Sequence, residues 1–492
     1  MSIIVIFSIF VLLPQPSSAQ LKFDEGVWVS YTDFRHVVDV DVGKNYIYVA
    51  TSGGVLRYHR YKKRWEDPWV VVRGYDNAID LRTAANVDYL SDTDEVAVLT
   101  TRGAFVYNPV FKYWKPTTHS FATPQQIDLT DAVFLKTPDF TISHRTYFPQ
   151  GNNMVMDNKL RKYPLTVYAD DEWGNWWIGL DGVGVLQLDI HSKRGTVWEM
   201  GFFGTNVQAI ARGKGWTISA GQNRNGGITF WKRRANIWDH LEPAYTTSLE
   251  SAWINDIAVA GKYALAATDN GLTKINLKNG NCDTWNVHDG LWSNRTVCVA
   301  VDKDTAWVGT EDGVCKVFLP KGPIVRMQQP ALGHQIFYDI AVDKQAIWCG
   351  GNMGLYRLDR ETGKGGYLGL SGGVGGPVYS IHSTNSEIWV GRMSGVEVIN
   401  KRSLKQTGYP SYAHMHGAEI YAVYAKGNLA WVGTNSGLWK FDRSRNYWHQ
   451  YTYLDGLLDN RVYEIYPDGD YLLIGTASGV TRFFWNDPDR VD

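Results

Sequence analysis

Short apolar runs alternate with polar pairs along the chain, and one phrase keeps returning: an apolar strand with an aromatic, Gly-Thr, two polar residues, then Gly and an apolar residue. Its clearest copies are Ala306-Trp307-Val308-Gly309-Thr310-Glu311-Asp312-Gly313-Val314 and Ala430-Trp431-Val432-Gly433-Thr434-Asn435-Ser436-Gly437-Leu438. Further copies run from Ile388 to Val396 and from Leu473 to Val480. Weaker ones carry their second glycine at Gly54, Gly103, Gly184, Gly227, Gly271 and Gly354. Successive second glycines lie 49, 81, 43, 44, 42, 41, 41, 42 and 42 residues apart, a period that composition alone does not produce.

Each unit reads as four short antiparallel strands. In the best copy Val297 to Val301 is the first strand, with a polar turn at Asp302-Lys303-Asp304. The second strand ends in a hairpin whose corner is Glu311-Asp312 and whose Gly313 is expected in the left-handed position of a bulge. Val314 to Leu319 and a more polar fourth strand follow. Four strands per 40-odd residues predict an all-β chain of β-propeller blades, ten or eleven of them. The eleventh would be a degenerate unit near Thr141 to Met156. Single rings hold about four to eight blades, so two rings are slightly favoured over one wide ring. The irregular stretch 108–171 is the expected ring crossing or insertion. The last unit supplies only three strands before the chain stops, and Val27-Trp28-Val29-Ser30-Tyr31 resembles the missing fourth. Pairing head with tail removes two open edges, so the N-terminal strand should close the last blade.

Composition adds the compartment. Ile3 to Leu13 is an apolar run broken by Ser8, followed by Pro14, Pro16 and the small triplet Ser17-Ser18-Ala19. This predicts a signal peptide over residues 1–19, although the usual basic n-region is missing. No cysteine follows it to take a lipid anchor. Residues 20–492 carry no 18-residue apolar stretch, so the mature chain is expected in the periplasm or secreted, with no transmembrane segment. The net charge of -1 encodes no general affinity for nucleic acid. Four cysteines (Cys282, Cys298, Cys315, Cys349) without a C-x-x-C pair read as buried apolar side chains rather than a disulfide framework or zinc site.

Asp171-Glu172-Trp173-Gly174-Asn175-Trp176-Trp177-Ile178-Gly179, Asp455-Gly456-Leu457 with Asn460-Arg461-Val462, and His288-Asp289-Gly290-Leu291 with Asn294-Arg295 resemble the two-component regulator propeller repeat. That family forms the periplasmic sensor half of hybrid two-component systems, and the chain is also similar to a type IX secretion-associated propeller. The resemblance covers nearly the whole mature chain. It implies a propeller, and it implies recognition rather than a particular ligand. The sensor kinases continue into an immunoglobulin-like domain, a membrane helix and a kinase. This sequence ends at Asp492, which predicts a stand-alone recognition or scaffold module. Asp171 to Trp177 also resembles the aspartate box of sialidase propellers, which in those proteins braces a turn away from the catalytic centre.

In a propeller, loops entering the inner strands converge on one mouth of the channel together with the hairpins. The residues there that suit a carboxylated or hydroxylated sugar, or a protein partner, are Arg35, His36, Trp253, Asn255, Asn294, Arg295, His334, Arg392, Glu419, Asn460 and Arg461. For any one of them an ordinary solvated turn competes with ligand contact. The recurring Trp177, Trp307, Trp348, Trp389 and Trp431 are expected in packing between blades. His414-Met415-His416 with Glu419 is the one metal-like spacing, and it carries the enzyme alternative, a metal-dependent lyase or hydrolase. No cofactor is expected. A structural subunit of a secretion or surface assembly is the third reading, and the oligomeric state stays open.

Overall fold

The computed structural model describes residues 26–486, apart from 76, 127–140, 144–146, 151–152, 225, 329–331, 369–375, 394, 409–414 and 416. The leader therefore lies outside the described residues, as do His414 and His416. Ten sheets of four or more strands carry the fold, antiparallel except where Thr141–Ser143 runs parallel to Arg194–Glu199. They are numbered here as blades 1 (37–65), 2 (84–116), 3 (162–199), 4 (209–241), 5 (254–285), 6 (296–326), 7 (337–367), 8 (380–408), 9 (420–451) and 10 (462–484). Among the described residues no helix is long and apolar enough to cross a membrane.

The repeated phrase is a hairpin with a built-in brace. Thr310 Oγ1 donates to the Gly313 carbonyl at 2.9 Å and accepts the Asp312 amide at 3.1 Å. Thr51, Thr268, Thr434 and Thr476 make the same bond to the glycine three residues on. The corner glycine is needed twice over. Gly437 has φ +127, and a Cβ there would meet the Tyr451 carbonyl of the fourth strand at 2.4 Å. Gly313, at φ +136, is more extended than the left-handed bulge the sequence suggested. The five recurring tryptophans are at most 1% exposed, wedged between blades as expected.

The inner strands of blades 4 to 10 touch one another in order, and that of blade 10 returns to touch that of blade 4. Seven blades therefore close one ring. The seal includes Val207 N–H donating to the Thr476 carbonyl at 2.9 Å and an Arg212–Asp468 ion pair. Within blade 10, Trp28–Tyr31 pairs antiparallel with the third strand, Trp28 opposite Phe483 and Tyr31 opposite Val480. The Trp28 and Phe483 rings stack at 4.0 Å. The N-terminal strand is the outer strand of the last blade, as expected.

Blades 1, 2 and 3 form a second, smaller group: the inner strand of blade 1 touches those of blades 2 and 3. Between blades 2 and 3 the place of a blade is taken by an extended segment. His119 Nε2 lies 2.8 Å from Asp88, Asn86 Nδ2 donates to the Ala122 carbonyl, and Gln126 bridges Val167. The stretch expected to hold an eleventh unit forms no separate blade among the described residues. Thr141–Ser143, Phe148–Gln150 and Met154–Met156 instead extend the sheet of blade 3. The chain thus leaves blade 10 at Tyr31, builds three blades, and returns through residues 200–207 to build and close the seven. One apolar cluster spans both groups, from Val49 and Trp177 to Trp231, Leu473 and Val480. Asp67 ties them further, accepting from Tyr31 Oη at 2.6 Å and pairing with Arg482 at 3.1 Å.

Candidate functional site

The inner strands carry a β-bulge at a fixed place, between Ile254 and Asp256, Phe337 and Asp339, and Val462 and Glu464, with equivalents in blades 1, 2, 6 and 9. The bulge turns one side chain toward the neighbouring blade. Asp256 accepts the Ile257 and Val299 amides, both at 2.7 Å. Asp339 accepts Ile381 N–H, Ser380 Oγ accepts Val423 N–H, and Asp39 accepts Val40 and Val87. These side chains are straps between blades. Burial pushes the Asp256 carboxyl up to about 6, Asp339 to about 7 and Glu464 well above the usual range. For Asp339 and Glu464 the neighbouring channel carboxylates add to the shift.

At the equivalent position of each blade, which in blades 5, 6, 7, 9 and 10 is the residue the bulge leaves unpaired, the side chains form a ring at the mouth of the seven-blade channel: Gln208, Asn255, Val297, Tyr338, Tyr379, Tyr421 and Tyr463. The four tyrosines sit on four consecutive blades, 7 to 10. Tyr338 and Tyr379 lie 5.2 Å apart, and Tyr421 and Tyr463 5.1 Å apart. Facing this crescent are amides and a guanidinium. Gln222 Nε2 donates to Asn255 Oδ1 at 2.9 Å, Asn255 Nδ2 donates to Asp269, and Arg295 Nη1 holds Glu311 at 2.7 Å. Tyr421 Oη donates to Glu419 at 2.6 Å, and burial together with that carboxylate pushes the phenol up. The void below measures about 660 Å³. Its wall is a girdle of β-branched side chains from six of the seven blades, Ile210, Ile257, Val299, Ile381, Val423 and Ile465.

Of the residues singled out in the sequence, Asn255 and Arg295 line this void, Glu419 reaches it through Tyr421, and Arg461, paired with Asp459 of its own turn at 3.2 Å, lies near Tyr421 and Tyr463, with Trp253 at the rim. Trp253 is 44% exposed and bridges Gln222. The others do not join them. Asn294 Oδ1 accepts Val287 N–H at 2.9 Å, and Asn460 Oδ1 accepts Tyr453 N–H at 2.8 Å; both pin the turn of the Asp-Gly-Leu phrase. Arg392 is buried, paired with Glu397 at 2.9 Å. His334 is an exposed loop side chain beside Asp312. Arg35 braces the crossing between rings, paired with Asp33 and stacked over Phe203 at 4.3 Å, while His36 pairs with Asp181 on blade 3. Asp171 accepts Trp173 N–H, Asn175 N–H and Trp177 Nε1, the bracing role of an aspartate box. The tyrosine crescent was not singled out, yet its spacings of 41, 42 and 42 residues are those of the repeat itself. Among the described residues no group of three His, Cys, Asp or Glu side chains is placed to hold a metal ion.

The fold and this channel define a β-propeller. No protein-family model and no curated protein matches the sequence. Solved structures do: PorZ, a bacterial surface component of the type IX secretion system of Porphyromonas gingivalis, superposes with a TM-score of 0.50 at 14% identity, over 91% of this chain and 68% of its own. The extracellular domain of BT4673, from a hybrid two component system of B. thetaiotaomicron, gives a TM-score of 0.46 at 16% identity, over 91% of this chain and 69% of its own. At these identities the likeness concerns the fold alone.

Proposed function

We propose that this chain is an extracytoplasmic, non-catalytic recognition propeller that takes a glycan or a protein partner at the mouth of its seven-blade ring. The observation that carries this reading is the tyrosine crescent facing Asn255, Gln222 and Arg295 across one void. Flat aromatic faces stack on sugar rings or apolar side chains, and amides with a guanidinium complement hydroxyl and carboxylate groups. The channel carboxylates speak for binding rather than acid–base chemistry, because Asp256 and Asp339 are occupied by backbone amides.

The test is a glycan array with the mature chain, repeated on Tyr421→Ala/Tyr463→Ala and Arg295→Ala/Arg461→Ala variants. Loss of signal in both variants is expected. Binding that survives in both refutes the mouth as the site, and a mature chain that binds no glycan refutes the glycan half of the reading.

A second reading, a subunit of a surface assembly, is favoured by an exposed apolar patch on blade 2 and the loop beside it. Tyr75, Val110 and Phe111 are 69–78% exposed, and Tyr75 and Phe111 group around Tyr113.

A further inference from the structure

We propose that the cleft between the two rings binds a compact organic anion with a flat face, a chemistry that a sugar acid and an aryl phosphate share. The cleft has a volume of about 270 Å³ and lies apart from the channel mouth. Its walls are indoles from both rings. Trp65 and Trp198 of the small ring meet edge to face at 6.1 Å, and Trp231 and Trp238 of the large ring stack at 4.8 Å. Ligands favour such seams between domains, where apolar walls surround a few polar groups.

The charge there is unbalanced. The turn of blade 1 brings Lys63 and Arg64 to the cleft, and the short 3-10 helix of blade 4 brings Arg233 and Arg234 from the other ring. Both acids lining the cleft are already matched: Glu66 by Arg64 at 3.1 Å, and Asp67 by Tyr31 and Arg482. Among the described residues the side chains of Lys63, Arg233 and Arg234 make no hydrogen bond or ion pair, so like charges from two rings line one gap. Trp231 is 2% exposed, lines the cleft, and its Nε1–H has no acceptor. An anion in the cleft answers the unbalanced charge: its oxygens take the guanidinium groups, and its flat face lies against the tryptophans.

Tryptophan fluorescence of the full mature chain reads the site directly, because four indoles line it. The probes are glucuronate and phenyl phosphate, each against its neutral match, glucose and phenol, with inorganic phosphate as the anion lacking a flat face. At least one ring-bearing anion should quench saturably, with its neutral match and inorganic phosphate at least tenfold weaker. Which of the two binds identifies the source. Arg233→Gln/Arg234→Gln should weaken that binding at least tenfold without lowering the Tm of the unliganded protein, since the substitutions relieve repulsion. Lys63→Gln should weaken it less, and added salt should weaken it in the native chain. Equal binding of the neutral match, undiminished binding in the double variant, or no saturable quenching by either anion overturns the proposal.

Discussion

A carboxylate oxygen of Asp256, on the inner strand of blade 5, accepts the backbone N–H of Val299, on the inner strand of blade 6, at 2.7 Å. The bond crosses from one blade to the next at a bulge that recurs around the ring, so the bulge is a coupling device as well as a bend. Asp256→Ala leaves the Val299 amide buried without a partner, and should lower stability by about 1–3 kcal/mol. Asp256→Asn keeps one acceptor and should lose less. Urea denaturation of the three proteins checks the order, and an alanine variant as stable as the native chain contradicts the strap.

The same straps set a pH dependence. Burial raises Asp39 and Asp256 to about 6 and Asp339 to about 7. A carboxyl raised above its unfolded value of about 4 binds more protons in the folded state, so its contribution to stability falls as pH climbs from about 4 to about 7. Buried His382, lowered to about 4, works the other way between about 4 and its unfolded value near 6.5. Asp343, lowered to about 2, adds stability that is lost only as pH falls below about 4. The raised carboxyls, Glu464 among them, outweigh the lowered histidine, so the Tm should be higher at pH 5 than at pH 8, with a smaller difference in Asp339→Asn. A Tm that rises from pH 5 to pH 8 contradicts this assignment.

Closure of the large ring by the N-terminal strand predicts a cost far from any ligand. Trp28 is 4% exposed and packs between Phe483 and Tyr451. Trp28→Ala should destabilise by about 3–5 kcal/mol, and hydrogen exchange should show the loss first in blade 10. Unchanged protection of residues 479–484 sinks the closure.

Gly437→Ala combines a positive φ with a Cβ 2.4 Å from the Tyr451 carbonyl. Strain of this kind costs about 1–3 kcal/mol, whereas Gly427→Ala, with nothing within 4 Å of its Cβ, bears the strain of positive φ alone. Paired thermal melts should therefore rank Gly437→Ala as the more damaging, and the reverse order removes the close fourth-strand approach from the account.

The glycine period made the blades and the N-terminal seal readable, because each hairpin corner needs the same residue for the same steric reason. The partition into seven and three was only half readable. The segment around His119 to Gln126 fills a blade's place through hydrogen bonds that carry no repeat, and the described strands between Thr141 and Met156 join the sheet of blade 3 rather than forming their own. Site reading failed where a side chain serves its own turn. Asn294 and Asn460 satisfy backbone amides nearby, and Arg392 occupies the buried position that Thr310 holds in its own blade. Tyr338, Tyr379, Tyr421 and Tyr463 carried the period in plain view, but a strand tyrosine reads as packing until the fold is seen to place it at the mouth.

The most direct measurement of the recognition claim is hydrogen exchange of the mature chain with and without a ligand taken from the glycan array. Protection confined to the mouth, at residues 253–255, 295–297, 337–338, 419–421 and 461–463, is the predicted result. Protection on the outer blade edges or the small ring, with the tyrosine crescent unchanged, contradicts it.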